Sequence, residues 1–330
     1  MITDVIIVGA GLSGLTAAQQ LQNAGKTVTV LDKGRSVGGR LATRRIGKGI
    51  ADHGAQFFTV RSDEFQTQVE QWLTNDLVYI WGYGWGDGSI QKANSQDGHP
   101  RYVTNGGMNQ LAKSLATSID NIHVSTKVNH INYQDILWSV SDENGNTFNS
   151  SVLIMTPPVP QSLALSKNIA LSDRDREALN RIEYGPCLCG LFVIDGEIRL
   201  PEPGAIQNFD NIVYWVADNQ QKGISPDEHI ITLHVEADYS REHYDDPPED
   251  NLAFLREALQ QYLAEGTHIK DAQLKKWRYS IPLTTHPDDI LKASNLPLIF
   301  AGDAFGGRGR VEGAYLSGLE AGKVAISLLD

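Results

Sequence analysis

The chain has 330 residues, 41% of them apolar and 21% charged, with a net charge of −12. That length suits two closely packed domains better than one minimal domain. The negative balance is scattered along the chain and argues against a nucleic-acid backbone or an anionic membrane as main partner, because both require clustered positive charge.

The start, MITDVIIVGAG, has no basic n-region, long apolar h-region or small-residue cleavage site, so no secretory leader is expected. The segment DVIIVGAGLSGLTAAQQLQNAGKTVTVLDK then carries the strongest signal. Residues 5–8 form a short β-branched run, the pattern of a buried parallel strand. Gly9, Gly11 and Gly14 make G-x-G-x-x-G. A helix is expected through Leu15, Ala18 and Leu21 up to Gly25, and TVTVLD is a second strand closing on Asp32. Gly9 permits a tight turn, Gly11 lets backbone approach a pyrophosphate, and Gly14 lets the helix pack on the strand. The free N–H groups of the first helical turn, at Leu12 and Ser13, face the anion together with the positive end of the helix dipole. Asp32 lies 18 positions after Gly14, where a carboxylate accepts from a ribose, with Lys33 beside it. Strand, glycines, helix, second strand and acid in register predict dinucleotide binding.

The next loop, KGRSVGGRLATRR, has a second glycine pair, Gly38 and Gly39, before Arg40. It predicts a second approach to the same pyrophosphate, with Arg40 as charge partner and Arg44 and Arg45 adding positive charge or simply lying at the surface. DHGAQFFTVR, residues 52–61, reads by periodicity as a strand entering a core. GYGWGDG, residues 82–88, reads as a hairpin or aromatic loop. TNGGMNQLAKSLA starts a helix whose stripe Met108, Leu111, Ala112 and Leu115 is core. SVLIMTPPV is a strand stopped by Pro157 and Pro158. CLCGLFVI, NIVYWVAD and HIITLHVEA read as antiparallel strands, and PEDNLAFLREALQQYLAEG as an amphipathic helix with Leu252, Leu255, Leu259 and Leu263 on one face. The only cysteines, Cys187 and Cys189, lie side by side on one strand face, which suits neither a disulfide nor a zinc site; they read as buried small hydrophobes in a reducing compartment. No metal site is expected.

The end of the chain supplies the partner of the first motif. Residues 298–301 form a strand, Gly302 and Asp303 follow at its C-terminal end, and a helix is expected from Glu312 or Gly313. Small residues Gly313, Ala314, Ser317, Gly318, Ala321 and Gly322 give that helix a face that can lie close to the sheet or to a cofactor. The chain stops after this helix, and no run of about 18 apolar residues occurs, so neither a membrane tail nor a membrane span is expected and the chain is placed in the cytoplasm.

G-x-G-x-x-G, GGR and the terminal AGD…EGAYLSG together resemble the flavin amine-oxidase superfamily. GGRLATRR…ADHGAQFFTVR, RYVTNGGMNQLAKSLA and KKWRYSIP narrow the resemblance to the renalase family, spread over most of the chain and weakest between about Ser166 and Lys270. The resemblance implies an α/β fold: a Rossmann-like FAD-binding domain interleaved with an α+β substrate domain, of the p-hydroxybenzoate hydroxylase or amine-oxidase type. The FAD domain is expected at residues 1–60, 100–160 and 296–330, and the substrate domain at 61–99 and 161–295. The family's FAD contacts carry over to Ser13, Asp32, Arg40, Ala55, Gln56, Val128, Asp303, Glu312, Gly313 and Ala314, beside Gly9, Gly11, Leu12, Gly14, Lys33, Gly39 and Gly302 of the same motifs. No cysteine follows Cys189, where membrane amine oxidases of the superfamily attach flavin, so the FAD is expected to be non-covalent.

What the resemblance implies chemically is an oxidase. It takes the 2- and 6-dihydro isomers of NAD(P)H to NAD(P)+ by hydride transfer to flavin N5, and O2 becomes hydrogen peroxide. A flat dihydronicotinamide suits an aromatic slot, with Phe57, Trp277 and Tyr279 as walls and His234 as a hydrogen-bonding group; Phe58 should face away from Phe57. No acid or base is assigned. Two alternatives stand beside this: a small-amine oxidase or other NAD(P)H-oxidising flavoprotein, and a cofactor-free binding protein on the flavin fold, of the Rab-escort or GDP-dissociation-inhibitor kind.

Overall fold

The computed structural model describes residues 2–86 and 95–330. The chain divides into two compact units, crossing between them four times: Met1–Leu41, Leu111–Glu183 and Pro282–Asp330 form one, Ala42–Gln110 and Tyr184–Ile281 the other.

The first unit is built on an eight-stranded sheet. Its parallel core runs, in spatial order, Leu298–Phe300, Thr147–Met155, Ile2–Val8, Val28–Leu31 and Ile122–His123. These strands are short and apolar because both faces are covered; Val5, Ile6, Ile7, Leu153, Ile154 and Ile299 are fully buried. The hairpin of Val128–Gln134 and Leu137–Asp142 pairs antiparallel with Thr147–Met155. Leu12–Asn23 is the expected first helix, and the helix Val159–Leu165 follows the two prolines.

The terminal helix Arg310–Leu329 begins two to three residues earlier than expected. Two residues of its small-residue face, Gly318 and Gly322, lie against the first helix. A Cβ at Gly318 would collide with the carbonyl oxygen of Ser13 and lie 2.9 Å from Thr16 Cβ, and one at Gly322 would lie 2.7 Å from Gln20 Cβ.

The second unit contains a five-stranded sheet in the order Ala205–Gln207, Val213–Asp218, His229–Val235, Tyr184–Asp195, His268–Pro282. The three expected antiparallel strands are its centre. The helix Pro248–Gln260 buries Leu255 and Leu259 against it, while Leu263 packs from beyond the helix end. Cys187 and Cys189 are free and buried.

This division differs from the expected boundaries. Residues 42–60 group with the second unit because the hairpin Thr43–Ile46/Gly49–Asp52 is held there. Ile46 and Ala51 share a buried cluster with Cys189, Leu191, Val193 and Ile230, and Thr232 Oγ1 donates to the Asp52 carbonyl (2.9 Å). By the same criterion residues 161–183 and 282–295 belong to the first unit, and residues 100–110 to the second.

DHGAQFFTVR is not a full strand. Asp52 ends Gly49–Asp52, and beyond it the chain is extended with one isolated bridge, Phe58 to Tyr102. Gly82 to Trp85 lie on the strand Val78–Trp85, paired with Ser95–Thr104, and Gly86 makes an isolated bridge to Ile206; residues 87 and 88 of that aromatic segment lie outside the described residues.

Candidate active site

The glycine motif sits where the first parallel strand ends. Gly9 has φ +105°, a conformation open to glycine at little cost, and its N–H donates to Leu31 O (2.8 Å). A Cβ at Gly14 would run into the Gly9 carbonyl, so close helix–strand packing requires glycine there. A Cβ at Gly11 meets nothing within 4 Å. Leu12 and Ser13 begin the helix behind it, and Ser13 Oγ is buried with no hydrogen-bond partner. A buried hydroxyl without a partner is costly, and it stands beside an open surface at a helix N-terminus; both observations fit a bound pyrophosphate.

The second glycine loop comes to the same place. Gly38 N–H donates to Ala10 O (2.8 Å), and a Cβ at Gly39 would lie 3.6 Å from Gly11 Cα. Arg40 then forms a fork with Asp303: Nη1 donates to Oδ2 and Nη2 to Oδ1, each at 2.6 Å. Arg40 and Asp303, expected as separate contacts to the cofactor, are therefore one bidentate ion pair, with Asp303 at 7% exposure.

Asp32 also has a structural task. Its Oδ2 accepts from Ala10 N–H and its Oδ1 from Gly34 N–H, each at 2.6 Å, so it ties the glycine turn to the loop after the second strand. Lys33 is exposed and donates to Gln161 Oε1 (3.0 Å). Val128 is buried at the start of its strand, just after Ser125 and Thr126, whose N–H groups donate to Gly34 O and Asp32 O (2.7 Å each). It therefore lies at the adenosine end expected for Asp32.

Gly302 N–H is held by Ser317 Oγ (2.8 Å), and Glu312, Gly313 and Ala314 form the first turn of the terminal helix, with Glu312 buried. Within the first unit the sequence-assigned residues thus gather at the carboxyl ends of parallel strands, the edge where open α/β sheets bind ligands.

The remaining assigned residues lie in the second unit. Phe57 and Phe58 occupy different environments, as alternation requires. Phe57 packs on Trp85 and Trp215 at 5.0 and 5.4 Å, Phe58 on Phe65, Trp72 and Tyr102. Gln56 is buried; its Nε2 donates to Asp52 O (2.8 Å) and Gly54 O (3.1 Å), and its Oε1 has no partner. Ala55 is half-buried next to it.

Trp277 donates from Nε1 to His53 O (2.7 Å) and stacks on the His53 ring, centroids 5.2 Å apart and planes 21° apart. Tyr279 instead meets Tyr184 edge-on at 5.9 Å. His234 lies opposite Trp215 in the sheet, at 7% exposure, and its Nε2 is without a partner, as is His53 Nδ1. Burial lowers the His53 pKa to about 4, helped by the charges of Lys275 and Arg44. Burial lowers His234 to about 3, helped by His53 and Lys222. Both imidazoles are neutral at physiological pH.

Two features here escaped sequence reading. His53 carried no motif of its own. Lys222 and Asp52, both fully buried, form a 2.6 Å ion pair across 170 positions, and no local pattern pairs residues so far apart. Asp52 also accepts from Thr43 Oγ1 (2.5 Å) and Met108 N–H (2.9 Å), so the pair anchors the segment that carries His53 and Gln56. Among the described residues no cluster of three or more His, Cys, Asp or Glu is arranged to hold a metal ion.

Comparison with known proteins agrees with this geometry. Residues 7–73 match the NAD(P)-binding Rossmann-like domain, and residues 81–326 match flavin containing amine oxidoreductase. Renalase of Mus musculus is 25% identical over 294 residues, covering 84% of each chain. Putrescine oxidase of Kocuria rosea is 37% identical over 68 residues, 21% of this chain and 14% of its own length. The solved structure of a putrescine oxidase variant has a TM-score of 0.72 at 16% identity, covering 99% of both chains, a likeness of fold alone.

Fold and cradle thus define an FAD-dependent oxidoreductase, not a cofactor-free binding protein. More closely, the chain belongs to the flavin-containing amine oxidoreductase family and is renalase-like within it.

Proposed function

We propose that the protein is an oxidase of misreduced dihydronicotinamides, converting 2- or 6-dihydro-NAD(P) to NAD(P)+ with O2 reduced to hydrogen peroxide. The first unit holds FAD through Gly9, Gly11, Ser13, Gly14 and Arg40 with Asp303, and the second carries the substrate-facing residues. Bound FAD supplies a two-electron acceptor that O2 can reoxidise. Attachment is non-covalent: both cysteines are buried in Tyr184–Asp195, and burial pushes Cys187 up to about 12 and Cys189 well above the ordinary thiol value. Free thiols suit the reducing cytoplasm.

The observation that carries the substrate assignment is the flat, uncharged face of the second unit. His53 stacks on Trp277, and both His53 and His234 are held neutral. An aromatic ring can lie on such a face. A primary carboxamide offers both an acceptor and donors, which His234 Nε2, a donor in one neutral tautomer, and the acceptor Gln56 Oε1 can meet; both atoms are buried without partners. An amine substrate arrives as an ammonium ion and needs a base to take its proton, and neutral imidazoles held so far below their ordinary pKa are weak bases.

The test is anaerobic mixing of the oxidised holoprotein with 2-dihydro-NAD, 6-dihydro-NAD, putrescine and benzylamine, following the visible absorbance of the oxidised flavin. Bleaching by a dihydronicotinamide and not by the amines is expected. Bleaching by an amine alone would overturn the proposal.

A further inference from the structure

Two cations border the stacked face and have no carboxylate partner among the described residues: Arg44, exposed, and Lys275, half-buried. Lys275 lies two positions before Trp277 on His268–Pro282, so the two side chains share a face of that strand. Arg44 lies opposite Ala51 in the hairpin that leads into His53, whose N–H donates to Ala42 O (3.0 Å). The same two charges act on His53, Lys275 more strongly than Arg44. After burial, Arg44 is what holds Lys275 below its ordinary value. Two like charges near enough to act on each other repel, and a bound anion would lessen that repulsion.

We infer that Arg44 and Lys275 form a phosphate-recognition pair at the edge of the His53 and Trp277 stack, selecting nucleotide substrates over uncharged or cationic ones. This rests on the dihydronicotinamide reading. The reduced ring is neutral, so the phosphates are the only strong charges on such a substrate. Arg offers a fork and Lys a mobile point charge, a common combination for phosphate oxygens. The same pair repels ammonium compounds, which gives the protein a means of refusing the amines that its family name suggests.

The test compares 6-dihydro-NAD with 6-dihydronicotinamide riboside, which lacks phosphate, in anaerobic reduction of the holoprotein. The concentration dependence of bleaching gives an apparent Kd for each. The dinucleotide should bind at least about tenfold more tightly, and the ratio should shrink at high salt because exposed charges are screened. In R44Q/K275Q the ratio should fall toward one, while R44K/K275R should keep most of it. Flavin content and circular dichroism check that each variant is folded, and the salt series needs no variant.

A wild-type ratio near one, or a ratio that survives in R44Q/K275Q, overturns the phosphate pair and leaves the substrate reading standing. Failure of both compounds to bleach the flavin overturns both.

Discussion

At Gly11 a Cβ would project into open space, whereas at Gly14 it would run into the carbonyl of Gly9. The two glycines of one motif therefore serve different ends, and a single methyl group separates them. Gly14→Ala overpacks the junction of helix and strand and should cost about 1–3 kcal/mol of stability, read as a lower denaturation midpoint of the apoprotein. Gly11→Ala needs no backbone change, since Gly11 has φ −78°. Its apoprotein should melt with the wild type, while FAD affinity falls by about tenfold or more because the added carbon occupies the path of the pyrophosphate. Equal loss of FAD with equal loss of stability in the two variants would contradict this division. The same scale of argument explains Arg40 and Asp303. Sequence reading gave each its own contact with the cofactor, and only side-chain geometry reveals that they meet at 2.6 Å as a fork.

Between elements, the first helix, Leu12–Asn23, and the terminal helix, Arg310–Leu329, approach each other closely at Gly318 and Gly322. Gly318→Val should force them apart at Ser13 O and Thr16 Cβ, costing about 1–3 kcal/mol, and should loosen FAD as well, because Ser13 belongs to the cradle. Thermal melting with and without added FAD checks both. A Gly318→Val protein with wild-type melting would show that the helices can separate at no cost. The small-residue face was legible in the sequence, but its partner was not: spacing says that something lies close and cannot say what. The first βαβ unit was legible for the opposite reason. Its strand, turn, helix and acid are local, and each constrains the next within about thirty residues. The hairpin Thr43–Ile46/Gly49–Asp52 was misassigned between units because its contacts are with Asn219, Ile230 and Thr232, far along the chain. The ion pair of Lys222 and Asp52 was invisible for the same reason.

For the molecule as a whole, the neutral histidines make stability depend on pH. His53 titrates near 4 and His234 near 3 in the folded state, both below the ordinary 6.5. Below that ordinary value the unfolded chain takes up protons that the folded chain refuses, so stability rises with pH through this window. Their contribution is complete above about pH 6.5 and is lost as pH falls toward the folded-state values. Between pH 7 and pH 5 each histidine should lower the unfolding free energy by about 1–2 kcal/mol. Urea denaturation at the two pH values measures the drop. In His53→Asn/His234→Asn the drop should be smaller by the sum of those two contributions, whatever the substitution itself costs at pH 7, because a group that cannot titrate adds nothing to the slope. An unchanged slope would mean that the imidazoles take up protons in the folded protein as readily as in the unfolded chain, and the face on which the substrate assignment depends would not be held uncharged.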